Sequence, residues 1–272
     1  MAELGIENLS VFGMPPVEHV KLAADLGCRH ISIGLTQLSY NPHNYPAFSL
    51  LDDPALRRET VAALADRGVT ISLGEGFVAR AGADLRAREQ ELDVMAELGV
   101  ARVNMVSMDP DLARSFDQFA ALAELGAARG FQMTTEFGPP LSVGDLATAL
   151  QAVRHVGRPD FALLIDTMHF VRSGGRPEEL AALDPELIGY VQLCDAPRAG
   201  RFASYMEEAM FERMAPGTGE LGLLEVLRAL PRERVISLEV PLRSQAEAGI
   251  GPHERLRPCV EATRALLAQL DA

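Results

Sequence analysis

Short apolar runs alternate with amphipathic runs of helical period along the whole chain. Leu4 to Val11 reads as a first strand, and Val17 to Leu26, behind the start signal Pro15-Pro16, as the first helix. His30 to Leu35 and Val69 to Leu73 are the next strands, separated by a helix from Pro54 to Asp66. A long helix from Asp84 to Leu98 leads into a strand from Arg102 to Ser107, whose own helix runs from Asp111 to Arg129. Strands ending at Glu136, at Asp166, near Cys194 and at Glu239 complete the series, with helices near 143–156, 178–183, 223–230 and 254–270 between and after them. About eight strand–helix units predict an α/β fold, a (β/α)8 barrel forming one domain over residues 1–272. A doubly wound open sheet is the competing architecture.

Punctuation favours the barrel. Gly27, Gly68, Gly99 and Gly130 each follow a helical run by one or two positions, where glycine takes the left-handed conformation without a Cβ penalty. The helix-to-strand joints are therefore tight. The strand-to-helix joints are long by contrast, notably Thr36 to Asp53 and Asp195 to Gly222, and barrel active sites are built on that side. Variable surface loops would look the same.

The candidate chemistry lies at the strand ends. Leu163-Leu164-Ile165-Asp166 is an apolar run that stops at an acid, and Gln132 to Glu136, Tyr190 to Asp195 and Val235 to Glu239 end in comparable ways. Strand alternation places Thr134 with Glu136, Leu164 with Asp166, Gln192 with Cys194, and Ser237 with Glu239 on shared faces. Isolated buried charges are costly, and one divalent cation shared by Glu136, Asp166 and Glu239 would compensate all three. Each acid could instead pair with a buried arginine. Carboxylate and amide oxygens are hard ligands that suit Mg²⁺ or Mn²⁺.

Composition narrows the partners. The net charge is −13 over 272 residues with no basic stripe, which argues against a nucleic-acid backbone as partner. Met1-Ala2-Glu3-Leu4-Gly5 does not read as a signal peptide, and no apolar stretch is long enough to span a bilayer. Cys28, Cys194 and Cys259 have neither disulfide-framework nor zinc spacing, so the expected compartment is the reducing cytoplasm.

Thr135-Glu136, Asp166-Thr167-Met168-His169, Gln192-Leu193-Cys194-Asp195 and Leu238-Glu239 together resemble the sugar isomerase/epimerase family with a xylose-isomerase-like TIM barrel. The family includes ketose 3-epimerases, hydroxypyruvate isomerase and inosose dehydratase. The resemblance covers nearly the whole chain and implies one metal held by Glu136, Asp166, Gln192 and Glu239, with His169 and Arg198 touching substrate. Gln192 stands where the family usually has His, a neutral oxygen donor in place of an imidazole. The related nuclease branch needs further histidines; here the fourth strand offers Asn104, Met105 and Ser107, and Asp195-Ala196-Pro197 follows the seventh.

The resulting expectation is a divalent-metal-dependent isomerase or epimerase of a small sugar or keto-polyol. Glu136 and Glu239 would exchange protons on opposite faces of an enediolate. A lyase or dehydratase on the same barrel, and a non-catalytic sugar-binding barrel with a decayed site, remain open. Glu75, in Gly74-Glu75-Gly76, either contacts a substrate hydroxyl or belongs to a simple glycine turn. Tyr40, His43, Tyr45 and Phe48 are candidates to wall the substrate site. Pro216-Gly217-Thr218-Gly219-Glu220 lacks the lysine and spacing of a nucleotide phosphate loop. Met206, Met210, Phe211 and Met214 could cover a second copy in a homo-oligomer.

Overall fold

The computed structural model describes residues 3–270. Eight parallel strands close on themselves in sequence order, with β1 hydrogen-bonded to both β2 and β8. The strands are β1 Leu4–Ile6, β2 His30–Ile33, β3 Thr70–Ala79, β4 Arg102–Ser107, β5 Gln132–Glu136, β6 Phe161–Asp166, β7 Ile188–Leu193 and β8 Ile236–Leu238. The helices of the first half are α1 Pro16–Asp25, α2 Pro54–Arg67, α3 Glu89–Glu97, α4 Leu112–Ala127 and α5 Leu146–Val156. Those of the second half are α6 Thr167–Arg172, α7 Pro177–Ala181, α8 Tyr205–Phe211, α9 Leu223–Ala229, α10 Arg243–Glu247 and α11 Pro252–Ala268. Closure removes the sheet edges that the open-sheet alternative would have left.

Local chemistry sets the boundaries. Asp53, Asp111 and Asp145 each accept backbone N–H groups at the start of α2, α4 and α5. Gly68 and Gly157 end α2 and α5 in the left-handed conformation. The large core between barrel and helices is apolar, whereas Leu73, Leu164 and Tyr190 form a separate buried group. Alternation puts those three one layer below Glu75, Asp166 and Gln192 on the same strand faces, so they floor the site.

Two elements depart from expectation in ways that matter for the site. The first strand stops at Ile6, and a 3₁₀ turn spans Asn8–Val11, ahead of the left-handed Phe12. Glu7 is thereby left at the strand end, fully buried. The third strand runs on to Ala79, and Gly74-Glu75-Gly76 is an irregularity within it rather than the expected turn. At Gly74 a Cβ would sit 2.7 Å from Met95 Sδ, which accounts for glycine there. No helix among the described residues is long and apolar enough to cross a membrane.

Candidate metal and catalytic centre

Asp166 has two structural duties. It is the last residue of β6 and the N-cap of α6, its Oδ1 accepting the His169 backbone N–H at 2.9 Å. A strand that passes directly into a helix thus fixes His169 one turn above Asp166. The imidazole lies against the backbone of Gly138, where a Cβ would be 2.9 Å from His169 Cγ. His169 Nδ1 is 2.7 Å from Tyr205 Oη, and Nε2 is 3.3 Å from Glu136 Oε1. Glu136, Asp166 and His169 each offer one ligand atom within 4.8 Å of the others, a group that could hold a metal ion.

Arg213 is the cation that sequence reasoning missed. Its Nη1 donates to Asp166 Oδ2, its Nη2 lies 2.7 Å from Glu239 Oε2, and its Nε donates to the Ala209 carbonyl at 2.8 Å. The placement comes from the long loop after β7. Asp195 and Met214 exchange backbone hydrogen bonds of 2.9 and 2.8 Å, while the Asp195 carboxylate accepts from Gly217 and Leu221 N–H. At Gly219 a Cβ would be 2.4 Å from Asp195 Oδ1, so the glycine-rich stretch wraps a carboxylate instead of a phosphate. No motif in the sequence singles out Arg213; its signal is only its position three residues before Pro216-Gly217.

The floor is strongly acidic. Gln192 Nε2 donates to Glu7 Oε2 and Glu75 Oε1 at 3.2 Å each and to Glu239 Oε1 at 3.3 Å. Asn104 Nδ2 reaches Glu136 Oε2 at 3.0 Å and Glu75 Oε2 at 3.3 Å. Five carboxylates therefore share one guanidinium at this floor. Burial would raise the Asp166 carboxyl, but the Arg213 charge and the His169 backbone N–H overcome it and hold Asp166 below the usual carboxylate range. Glu239 is pushed well above that range by burial, since Arg213 cannot neutralise both acids. Burial and the neighbouring Glu136 and Glu7 charges likewise raise Glu75.

This donor set fits a divalent ion. It is rich in hard oxygens, it carries excess negative charge, and the buried Gln192 Oε1 has no hydrogen-bond partner among the described residues. Above it opens a cavity of about 610 Å³ whose lining includes Glu75, Glu136, His169, Arg213 and Glu239. Asp166 and Gln192 lie buried beneath.

Arg198 lies elsewhere: it is exposed, outside the cavity lining, and its backbone N–H donates to Glu220 Oε2 at 3.1 Å. The long second loop meets the cavity through Thr36, Gln37, Leu38 and Ser39. Its Tyr40 packs on Phe12 and Phe211 instead, and His43 stacks near Tyr45 beside the buried Arg255. Met206 and Met210 line the cavity wall. Cys194 is wholly buried and its thiol is pushed up to about 12 by burial, so it is not a nucleophile at neutral pH.

Known proteins share this architecture. The 3-dehydroshikimate dehydratase of Pseudomonas aeruginosa is 30% identical over 190 residues, an alignment covering 63% of this chain and 29% of that protein. The chain thus matches less than a third of that relative's length. A solved structure of IolI protein with a bound zinc atom has a TM-score of 0.79 at 18% identity, covering 98% of this chain and 99% of the other. The probable 3-DHS dehydratase AsbF of Bacillus anthracis, described as involved in petrobactin synthesis, has a TM-score of 0.74 at 14% identity, covering 97% and 98%. Residues 20–260 match the family described as xylose isomerase-like TIM barrel, and the chain belongs to that family.

Proposed function

We propose that the chain is a divalent-metal-dependent lyase that removes water from a hydroxylated carbonyl compound, with 3-dehydroshikimate as the first substrate to test. The observation that carries the reading is the convergence of Glu136, Asp166 and His169 within 4.8 Å at an acidic floor. The 30% identity to a dehydratase supports elimination as the outcome. Glu136, Asp166, Gln192 and Glu239 would hold Mn²⁺ or Mg²⁺, with His169 beside them. When bound, such an ion supplies the positive charge that stabilises a developing enolate oxygen.

The chain's own residues do the rest. His169, its Nδ1 fixed by Tyr205, takes the proton beside the carbonyl on Nε2. The C–H electrons become the new C=C bond as the adjacent C–O bond breaks. The departing hydroxyl takes the proton back from His169 and leaves as water. Arg213 supplies fixed positive charge at the floor, and Leu9, Leu35, Phe77 and Met210 give the cavity apolar walls.

A second reading, isomerase or epimerase on a small sugar or keto-polyol, has its own support: Glu136 and Glu239 line the cavity from β5 and from the residue just past β8. Incubation of the Mn²⁺-loaded chain in D₂O separates the two. Loss of one water from 3-dehydroshikimate, abolished by EDTA and by His169→Asn, is the expected result. Deuterium exchange into a recovered ketose without water loss would favour the second reading, and no turnover of either kind would reject both.

A further inference from the structure

Beneath the site lies a buried acid that the chemistry above does not use. Glu7, wholly buried at the end of β1, donates its backbone N–H to the Leu238 carbonyl at 3.0 Å, which ties it to β8. Its Oε1 accepts from Tyr190 Oη at 2.9 Å, and that hydroxyl is itself 2.8 Å from Ser72 Oγ. Its Oε2 is left to accept from Gln192 Nε2 at 3.2 Å. Tyr190 and Ser72 thus hold the Glu7 carboxyl in one orientation, and Glu7 in turn faces the amide.

An amide has a donor end and an acceptor end, and Gln192 turns its donor end to three acids at once. Its amino group is occupied by Glu7, Glu75 and Glu239, and the oxygen on the same carbon makes no hydrogen bond to them. That oxygen is the buried atom left without a partner among the described residues. We propose that Glu7 is a positioning residue that fixes the Gln192 amide so that Oε1 stays free to bind the divalent ion. A neutral amide serves as a ligand only when its oxygen end is specified, and on this barrel the first strand specifies it. The inference rests on the metal-dependent reading above and extends it to a residue at the opposite end of the sequence.

The test is calorimetric titration of the metal-stripped full chain with Mn²⁺, which reads affinity without turnover. In Glu7→Gln the new amino group can donate to Gln192 Oε1 and reverse the amide, so affinity should fall at least about tenfold, the scale of lost outer-sphere support. Glu7→Asp keeps the carboxyl group but shortens the reach by one methylene, and it should lose affinity too. It carries the test alone if Glu7→Gln does not fold. Gln192→Ala should bind weakly, and adding Glu7→Gln to it should cost nothing more. The proposal is overturned, with the functional reading left standing, if Glu7→Asp binds Mn²⁺ like the unaltered chain. It is equally overturned if Gln192→Ala has no effect, or if Glu7→Gln costs the same factor in both backgrounds. Failure of the unaltered chain to bind Mn²⁺ would reject the metal-dependent reading and this inference together.

Discussion

Arg213 is 3% exposed and bridges two carboxylates, so its removal exposes the energetics of the whole floor. Arg213→Met keeps most of the volume but leaves Asp166 and Glu239 buried without their guanidinium. Breaking such a pair costs about 3–5 kcal/mol, to be read from urea unfolding of the metal-free chain. Mn²⁺ should recover part of that loss, because it supplies the missing positive charge. His19 gives a separate pH dependence. It is buried, and desolvation outweighs a backbone hydrogen bond to Ile6, so its pKa is pushed down to about 4 from 6.5. The native histidine stays neutral while the unfolded one protonates, so stability is full above pH 6.5 and falls as the pH drops toward 4. Relative to His19→Gln, the unaltered chain should lose about 2–3 kcal/mol between pH 7.5 and 4.5 in paired urea titrations. Glu136, Asp166 and Glu239 could be picked from sequence because each ends a strand-like run. Glu7 ends one as well, but reading Leu4 to Val11 as continuous strand hid it. Arg213 had no such marker, since a loop held by Asp195 delivers it.

Elements explain how precisely the site is held. The passage from β6 into α6 without a loop makes Asp166 and His169 one rigid unit, and the β5-to-α5 loop closes over the imidazole at Gly138. Gly138→Ala would place a methyl 2.9 Å from His169 Cγ and displace the ring. A displacement approaching ~1 Å would cost up to about 10²-fold in kcat. Calorimetric Mn²⁺ affinity should change far less, because the carboxylates stay put. Away from the site, Asp145 caps α5 through the Thr148 N–H at 2.8 Å. Asp145→Ala should cost about 1 kcal/mol of stability without affecting turnover. Most helices and most strands follow from periodicity; the short α6 and α10 do not. The prolongation of β3 through Gly74 and Gly76 does not, because glycines inside a strand look like a turn until a packed neighbour such as Met95 explains them.

At the scale of the barrel, closure turns separate strand ends into one floor, where acids distant in sequence lie within hydrogen-bonding reach of the Gln192 amide. Alternation of strands and helices was enough to foresee the barrel. It could not foresee that an arginine from the β7 loop would sit between two of the acids, since that contact exists only after the ring has closed. The ring concentrates negative charge that a single guanidinium leaves uncompensated, and a divalent ion is the simplest completion of it. Anomalous diffraction at the manganese edge, from crystals of the full chain grown with Mn²⁺, locates that ion if it is there. A single strong peak about 2.0–2.3 Å from carboxylate oxygens of Glu136 and Asp166 is the expected result. Absence of a peak at the barrel mouth, with Arg213 still bridging Asp166 and Glu239, would contradict it.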